Sequence, residues 1–220
     1  MQKKTAVIFG ATGLTGSFVL QILIQDERYE KVKVFSRTPP EVKSDKVEII
    51  ITDLEDLDKH SEEITGDDLF CCLGTTIKKA GSKENFRKVD HDWPALIAKT
   101  ASKNGMPGFL MISSIGADPE SSNFYLRTKG EAEKAVRQYE FKKIVILRPS
   151  MLLGKRREFR LLEELGKIIM APLKFIFRGR LRKYRPIDAE RVAKAMVKFA
   201  NITTSKYVFE SHEIELYTKS

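Results

Sequence analysis

The sequence predicts an α/β fold in three layers, a doubly wound parallel sheet with a small C-terminal region beside it. Six short apolar runs are continuous rather than alternating, which is typical of strands buried on both faces of a parallel sheet. Helix-like stretches separate several of these runs over roughly the first 150 residues. This alternation implies right-handed crossovers between neighbouring parallel strands.

The predicted strands, in chain order, read KTAVIFG, KVKVFS, VEIIIT, DLFCCLG, GFLMISS and KKIVILRP. The predicted helices read LTGSFVLQILIQD, SKENFRKVDHDWPALIAKTASKNG and SNFYLRTKGEAEKAVRQY. The third helix follows Ser121, Ser122 and Asn123, whose side-chain oxygens suit an N-cap. Pro94 lies inside the second helix pattern and predicts a kink or an offset start there.

The character of the chain changes after Pro149. The stretch EFRLLEELGKIIMAPLKFIFRGRLRKYR is amphipathic and basic, and PIDAERVAKAMVKFA predicts a surface helix capped near Asp188. KYVFE and EIELYTK predict two late, short strands. We therefore expect a single domain over residues 1–220, in which residues 150–220 form a lid on the substrate side.

Composition excludes several classes of protein. With 42% hydrophobic and 31% charged residues, the 220-residue chain has a soluble globular profile. No apolar run approaches the length of about 18 residues that a spanning helix needs, and the N-terminal run is too short for the core of a signal peptide. Cys71 and Cys72 are adjacent and would point to opposite faces of a strand, which disfavours a disulfide between them. We expect a cytoplasmic location, because the N-terminal run does not suit a signal peptide and a free, reduced cysteine pair fits the cytosol. We expect no metal site, because two cysteines and three scattered histidines give no ligand spacing.

Positive charge is concentrated in one late segment. The net charge is +9, and residues 151–185 contain eleven Lys or Arg and three Glu, a local balance of +8. The arrangement of aromatic residues and positive charge in this segment matches no known nucleic-acid-binding module, so we expect no nucleic-acid partner. An apolar helical face favours a lid packed over the substrate cavity, and contact with an anionic membrane surface is the less favoured alternative. That face is formed by Leu161, Leu162, Leu165, Ile168 and Ile169.

A glycine pattern follows the first predicted strand and opens the first helix, in the stretch IFGATGLTGSF. Gly10 would make the tight turn, Gly13 would let the backbone approach a pyrophosphate, and Gly16 would let the helix pack closely on the sheet. This context favours a dinucleotide-binding site over a purely structural turn. The loop residues assigned to the cofactor are Gly10, Thr12, Gly13, Leu14, Thr15 and Gly16.

The end of the second strand indicates which dinucleotide binds. NAD sites usually carry an acidic residue there, whereas this chain has Ser36 and Arg37 in VFSRTPP. A guanidinium can pair with a 2′-phosphate, so NADP(H) is favoured over NAD(H), and a solvated surface arginine is the alternative. Asp53 is expected near the adenine, and Gly74 and Thr75 are expected to border the cofactor. Two neighbouring positions are assigned to the same site, Leu54 and Leu73.

The stretch YLRTK places Tyr125 and Lys129 four residues apart, on one face of a helix. A phenol has a pKa near 10, and a neighbouring ammonium favours the phenolate, which makes the phenol a better acid at neutral pH. A substrate oxygen also needs a hydroxyl partner, and Ser113 and Ser114 follow the fifth strand at the carboxyl edge of the sheet, where ligands bind in this architecture.

Taken together, these motifs resemble the extended or atypical short-chain dehydrogenases/reductases, which have a Rossmann fold, and within them the HIV-Tat-interacting oxidoreductase-like group. The resemblance covers roughly residues 4–200 and rests on CCLGTTIKKAGSKENFRKVD, SSIGAD, YLRTKGEAEKAV, LRPSMLLGKRREFR and RPIDAERVAKAM. It implies that Tyr125 is the acid-base residue, that Lys129 binds the nicotinamide ribose and tunes the tyrosine, and that Ser114 orients the substrate, with Ser113 as the alternative serine. It also implies that three further residues line the nicotinamide, Pro149, Ser150 and Met151.

Three functions are consistent with these residues. The favoured one is an NADPH-dependent reductase of a small carbonyl or enone-like substrate. The second is an NADP(H)-binding regulatory or interaction protein with little catalysis. An epimerase or dehydratase acting on a nucleotide sugar is disfavoured, because only roughly 70 residues follow the nucleotide-binding part. We expect a small-molecule substrate and a monomer or homodimer.

Overall fold

A computed structural model describes residues 3–154 and 184–218. Seven of the described strands form one parallel sheet in the order β3-β2-β1-β4-β5-β6-β9. This order reverses direction between β1 and β4, as in a doubly wound sheet. The strands are β1 (Lys4–Phe9), β2 (Tyr29–Ser36), β3 (Val47–Ile51), β4 (Asp68–Cys71), β5 (Gly108–Ile112), β6 (Lys143–Arg148) and β9 (Val208–Glu210), and a separate two-stranded sheet pairs β7 (Leu152–Leu153) with β8 (Ile187–Asp188).

Helices cover both faces of the sheet. The described helices are α1 (Leu14–Gln25), α2 (Ile77–Ala80), α3 (Lys83–Arg87), α4 (Trp93–Lys103), α5 (Phe124–Val136), α6 (Ala189–Ala200) and α7 (Ser211–Tyr217), together with a 3-10 helix over Leu54–Glu63 and a π turn over Lys88–Asp92. Ala6 and Ile8 of β1 point into a core under α1 and α6. Val7 and Phe9 point the other way, into a core under α4 and α5. Successive side chains of the apolar strands therefore pack into two cores, one on each face of the sheet.

One of the two late strands predicted from the sequence is a helix. KYVFE contributes β9, which pairs with β6, but EIELYTK lies mostly in α7. The helix begins at a reciprocal cap, in which the Glu210 side chain accepts from the third helical residue and the Glu213 side chain accepts from the backbone of Glu210. Ser211 and Ile214 are buried at helical spacing. The prediction of a second strand is therefore wrong, because the cap and one buried face outweigh local strand propensity.

The basic segment after β7 is only partly described. The predicted lid helix lies in residues 155–183, outside the described residues. The following helix, α6, begins after Asp188, as the sequence predicts, but the Asp188 side chain makes no capping hydrogen bond and instead lies 3.5 Å from the guanidinium of Arg191. Among the residues that the structure describes, no helix is both long enough and apolar enough to span a bilayer.

Candidate functional site at the carboxyl edge of the sheet

The glycine loop lies where the strand order reverses, between the ends of β1 and β4. Gly10 has a positive φ of 83°, and a Cβ on it would lie 2.7 Å from the carbonyl oxygen of Cys72. A Cβ on Gly16 would lie 2.1 Å from the carbonyl oxygen of Gly10. Both positions therefore exclude a side chain. The Gly13 amide donates to the Gly10 carbonyl at 3.0 Å, and α1 begins directly after Gly13.

The start of α1 suits an anion. Its first turn carries no acidic side chain, and the amides of a first helical turn lack intrahelical acceptors. Thr12 is exposed and Leu14 is half-buried, whereas Thr15 is buried under the loop. The tight turn and the helix start form a cradle with the shape that a dinucleotide phosphate needs, so the residues present fit the cofactor.

Arg37 and Asp53 meet at one surface cleft beside the ends of β2 and β3. The cleft has a volume of about 420 Å³ and is lined by Arg37, Ile51, Thr52, Asp53, Asp56, Lys59 and His60. Ser36 donates its hydroxyl to the carbonyl of Thr38 at 2.6 Å, so that donor is already used within its own turn. Leu54 is 9% exposed and packs in the core beneath the cleft rather than lining it.

Sequence reasoning missed two basic residues of this cleft, Lys59 and His60. The 3-10 helix after Asp53 brings Lys59 and His60 to the cleft wall. The Lys59 ammonium lies 2.8 Å from Asp56, and the His60 ring lies 2.6 Å from Glu63. Both residues lie in a connection that is mostly acidic. Its sequence did not indicate that they would line the cleft that contains Arg37.

The two serines after β5 have different surroundings. Ser113 is buried and donates to Oε1 of Glu133 at 2.5 Å. Arg148 binds the same carboxylate through two nitrogens, at 2.9 and 2.6 Å. Ser114 is half-buried, and among the described residues its hydroxyl makes only a long contact of 3.4 Å, with the Ile115 carbonyl. The Ser113 hydroxyl is therefore committed to an internal network that the sequence gave no reason to expect, and the Ser114 hydroxyl is the freer of the two.

Tyr125 and Lys129 lie one turn apart on α5, as predicted. The Tyr125 ring is half-buried and packs against Phe86, with ring centroids 5.4 Å apart. Lys129 is only 5% exposed, and its ammonium lies 2.7 Å from Oδ1 of Asp90, a carboxylate that is 1% exposed. Burial acts to lower the pKa of Lys129, but the charge of Asp90, assisted by that of Tyr125, outweighs it, so the pKa is raised. The lysine is therefore held in its charged form.

Asp90 is the central residue that the sequence analysis missed. It lies in the π turn, where the Trp93 amide donates to the carbonyl of Lys88, five residues back. Pro94 explains this turn, because it has no N–H to donate to the Asp90 carbonyl, which would be its partner four residues back in an α-helix. The kink predicted at Pro94 is thus present as the π turn, and π turns often lie at functional sites. The Asp-x-x-x-Pro spacing is the signal that could have identified Asp90.

The loop after β4 and the segment after β7 complete the site. The Thr75 amide donates to Oδ2 of Asp90 at 2.9 Å, which ties the Gly74–Thr75 loop to the π turn. Leu73 is half-buried against the core. A Cβ on Gly154 would lie 2.7 Å from Cδ1 of Leu14, so the segment after β7 reaches the glycine loop.

The three residues expected to line the nicotinamide differ in their contacts and in their exposure. The Pro149 carbonyl accepts the Ile115 amide at 3.0 Å, and Ser150 shares a hydrogen bond of 3.0 Å with Ser211. Met151 is 64% exposed. Within residues 3–154 and 184–218 there is no cluster of three or more His, Cys, Asp or Glu side chains that could hold a metal ion.

Comparisons with known proteins identify the family of this chain. A family model described as NAD(P)H-binding matches residues 10–201. Protein HTATIP2 of Rattus norvegicus is 38% identical over 164 residues, which cover 73% of this chain and 67% of that protein. Protein FMP52, mitochondrial, of Debaryomyces hansenii is 33% identical over 208 residues, which cover 90% of this chain and 88% of that protein. These matches confirm the resemblance and the NAD(P)H binding inferred from the motifs.

A solved structure matches the whole fold. UDP-N-acetylglucosamine 4-epimerase from Methanobrevibacter ruminantium M1, in complex with UDP-N-acetylmuramic acid, superposes with a TM-score of 0.70 and 18% identity, covering 99% of this chain and 81% of that chain. At this identity the likeness concerns the fold alone, and it confirms the predicted doubly wound α/β class.

The comparisons also correct one prediction. The sequence analysis expects a cytoplasmic location, but the FMP52 relative from Debaryomyces hansenii and several further FMP52 relatives are named as mitochondrial proteins. The cytoplasmic prediction is therefore wrong. It rested on the lack of a recognisable signal segment, which is a weak criterion because it does not separate one intracellular compartment from another.

Proposed function

This chain belongs to the NAD(P)H-binding family, and from that premise we propose that it is an NADPH-dependent oxidoreductase that reduces a small carbonyl compound. When bound, the reduced cofactor supplies the hydride for the carbonyl carbon. Tyr125 gives its phenol proton to the carbonyl oxygen, and Ser114 donates a hydrogen bond that orients this oxygen. Lys129 stabilises the phenolate that remains and binds the ribose next to the nicotinamide.

One observation carries this proposal: a buried ammonium is held charged one helical turn from a half-buried phenol, at the edge of the sheet where the glycine loop lies. A phenol with a pKa near 10 is a poor acid-base partner at neutral pH unless a positive charge stabilises its anion. The buried Lys129 supplies that charge where little water screens it, with the carboxylate of Asp90 as its counterion.

The preference for NADP(H) is part of the proposal and rests on Arg37. Its guanidinium lines the cleft after β2 together with Asp53, in the position where an NAD site usually carries an acid. Arginine pairs with phosphate through two parallel N–H groups, so a 2′-phosphate would add a charge-assisted contact in this cleft. The ammonium of Lys59 lines the same cleft, where it lies 2.8 Å from Asp56.

A carbonyl screen tests the proposed activity. The protein is incubated with NADPH and a panel of aldehydes, ketones and enones, and oxidation is followed by the loss of NADPH absorbance. Turnover by the wild type, with strong loss in Tyr125→Phe, is the expected result. Tight NADPH binding in calorimetry without turnover of any compound would instead favour the NADP(H)-binding regulatory or interaction role.

A further inference from the structure

The carboxylate of Asp90 joins two parts of the site. Its Oδ2 accepts the Thr75 amide at 2.9 Å, in the loop after β4, and its Oδ1 lies 2.7 Å from the Lys129 ammonium on α5. A Cβ on Gly74 would lie 3.5 Å from this Oδ1 and 3.7 Å from the ammonium, so the loop backbone packs directly over the pair. No step of the proposed reduction uses Asp90 itself.

We propose that Asp90 is a positioning residue, which holds the Lys129 ammonium in place and charged beside Tyr125 and so sets the pH above which the reduction fails. This inference rests on the proposed reductase function. The carboxylate of the π turn lies outside the Tyr-x-x-x-Lys motif. In this mechanism it takes part in the reaction by positioning the lysine.

Burial makes a counterion necessary. Lys129 is 5% exposed, and a lysine so deeply buried without an anion tends to lose its proton. The ammonium of Lys129 lies 2.7 Å from Oδ1 of Asp90, which is a charge-assisted contact between opposite charges. Removal of the charge from Asp90 therefore weakens this contact even when the shape of the side chain is kept.

The other ionisable groups around the lysine are few. Tyr125 faces it from its own helix, and Cys71 faces it from the end of β4. Burial raises the pKa of the Cys71 thiol to about 12, so this group stays neutral over the working range. Tyr125 and Lys129 are therefore the two groups of the site that can release a proton, and they interact electrostatically with each other.

The direction of the effect follows from the sign of the charge. A nearby anion raises the pKa of every acid beside it, so its removal lowers the pKa of the phenol and of the ammonium alike. The first proton then leaves the pair at lower pH, whichever group releases it. Because the reduction needs both a protonated phenol and a charged lysine, the alkaline limit of activity moves down in either case.

The decisive variant is Asp90→Asn, which keeps the size of the side chain and an acceptor for the Thr75 amide. We expect the alkaline limb of kcat/KM to move down by about 1–3 pH units. Asp92→Asn is the matched control, because Asp92 lies two residues further on but its side chain is 51% exposed and contacts His91. Its profile should coincide with that of the wild type. If Asp90→Asn lowers activity by the same factor at every pH, the carboxylate is structural and the proposal fails.

A measurement without turnover separates this inference from the reductase proposal. Carbon-13 NMR of labelled tyrosine and lysine side chains, assigned with Tyr125→Phe and Lys129→Met, follows both protons directly. In the wild type Lys129 should titrate above the ordinary lysine value of about 10.4, and in Asp90→Asn the first titration of the pair should fall. A wild-type Lys129 that titrates below that value overturns the proposal, even if Asp90→Asn cannot be folded. A failed carbonyl screen would overturn the reductase and leave this titration to decide the role of Asp90.

Discussion

A tyrosine, a lysine and an aspartate lie together at each of two opposite edges of the sheet, and the aspartate contacts different partners in the two sets. At the amino edge, Asp68 accepts from the Tyr29 hydroxyl at 2.8 Å and from Lys4 at 3.0 Å. At the carboxyl edge, Asp90 contacts Lys129 at 2.7 Å. The first aspartate thus binds both the phenol and the ammonium of its set, whereas the second binds the ammonium and a backbone amide.

This difference decides what each phenol can do. The Tyr29 side chain is 0% exposed, and burial, with the charge of Asp68, raises its pKa. Its hydroxyl also accepts from Asn201 at 3.0 Å, so the group is fully engaged and protonated. Tyr125 is half-buried, and the carboxylate of its set is turned toward the lysine instead. The same three residue types therefore stabilise the fold at one edge and suit proton transfer at the other.

The strongest test of this comparison replaces each phenol in turn. Tyr125→Phe should lower kcat about 10²–10⁴-fold, the usual contribution of a positioned acid-base group, and leave NADPH affinity nearly unchanged. Tyr29→Phe is the control and should leave kcat unchanged. It should lower the free energy of unfolding by about 1–3 kcal/mol, because a buried carboxylate loses a donor. Kinetics on the best carbonyl and urea denaturation of both variants measure the two effects.

Full activity in Tyr125→Phe would show that another group supplies the proton. Equal kinetic losses in both variants would mean that the two edges do not differ in the way that their contacts indicate.

The second test removes the carboxylate at the amino edge. Asp68→Asn leaves the Lys4 ammonium and the Tyr29 hydroxyl without their anion. We expect a loss of unfolding free energy near the lower end of about 3–5 kcal/mol, because the Lys4 side chain is 31% exposed and water replaces part of the interaction. NADPH affinity of the folded protein should not change. Chemical denaturation and calorimetry measure these two quantities, and a large loss of cofactor affinity would contradict a purely structural role.

A third test compares two exposed arginines. Arg37→Ala should weaken NADPH binding by about ten- to hundredfold, through loss of a charge-assisted contact with the 2′-phosphate, and should leave NADH binding nearly unchanged. Arg28→Ala is the control, since Arg28 pairs with Asp26 next to the start of β2, at the amino edge. Titration of both cofactors by calorimetry gives the comparison. If the wild type binds NADH as tightly as NADPH, Arg37 does not select the cofactor.

Local signals account for what the sequence predicted well. The glycine loop, the strands and the Tyr125–Lys129 spacing each lie within a short stretch, where turn chemistry and helical period dictate the geometry. Asp90 was missed because its role depends on Lys129, 39 residues away, and on the Thr75 loop. A carboxylate within a polar helix pattern usually lies in solvent, and only the tertiary fold buries this one.

Strand propensity failed for a related reason at the C-terminal end. EIELYTK contains alternating apolar residues and an aromatic, which favour a strand locally. The Glu210–Glu213 cap begins a helix just before this stretch, and Ile214 fills the core under α6.

The Ser113–Glu133–Arg148 network likewise joins β5, α5 and β6. Nothing in any one of these segments indicates the other two.

The smallest expected effect separates the two serines after β5. Ser114→Ala should lower kcat/KM by about three- to tenfold, because it removes one neutral hydrogen bond to the substrate oxygen. Ser113→Ala should leave kinetics nearly unchanged and lower the free energy of unfolding by about 1–3 kcal/mol, since the buried Glu133 loses a donor while Arg148 still binds it. Kinetics and denaturation of both variants form the test. The reverse result, with kinetic loss in Ser113→Ala alone, would mean that Ser113 leaves Glu133 and turns toward the substrate when the site is occupied, so that the network would be part of the reaction cycle rather than of the scaffold.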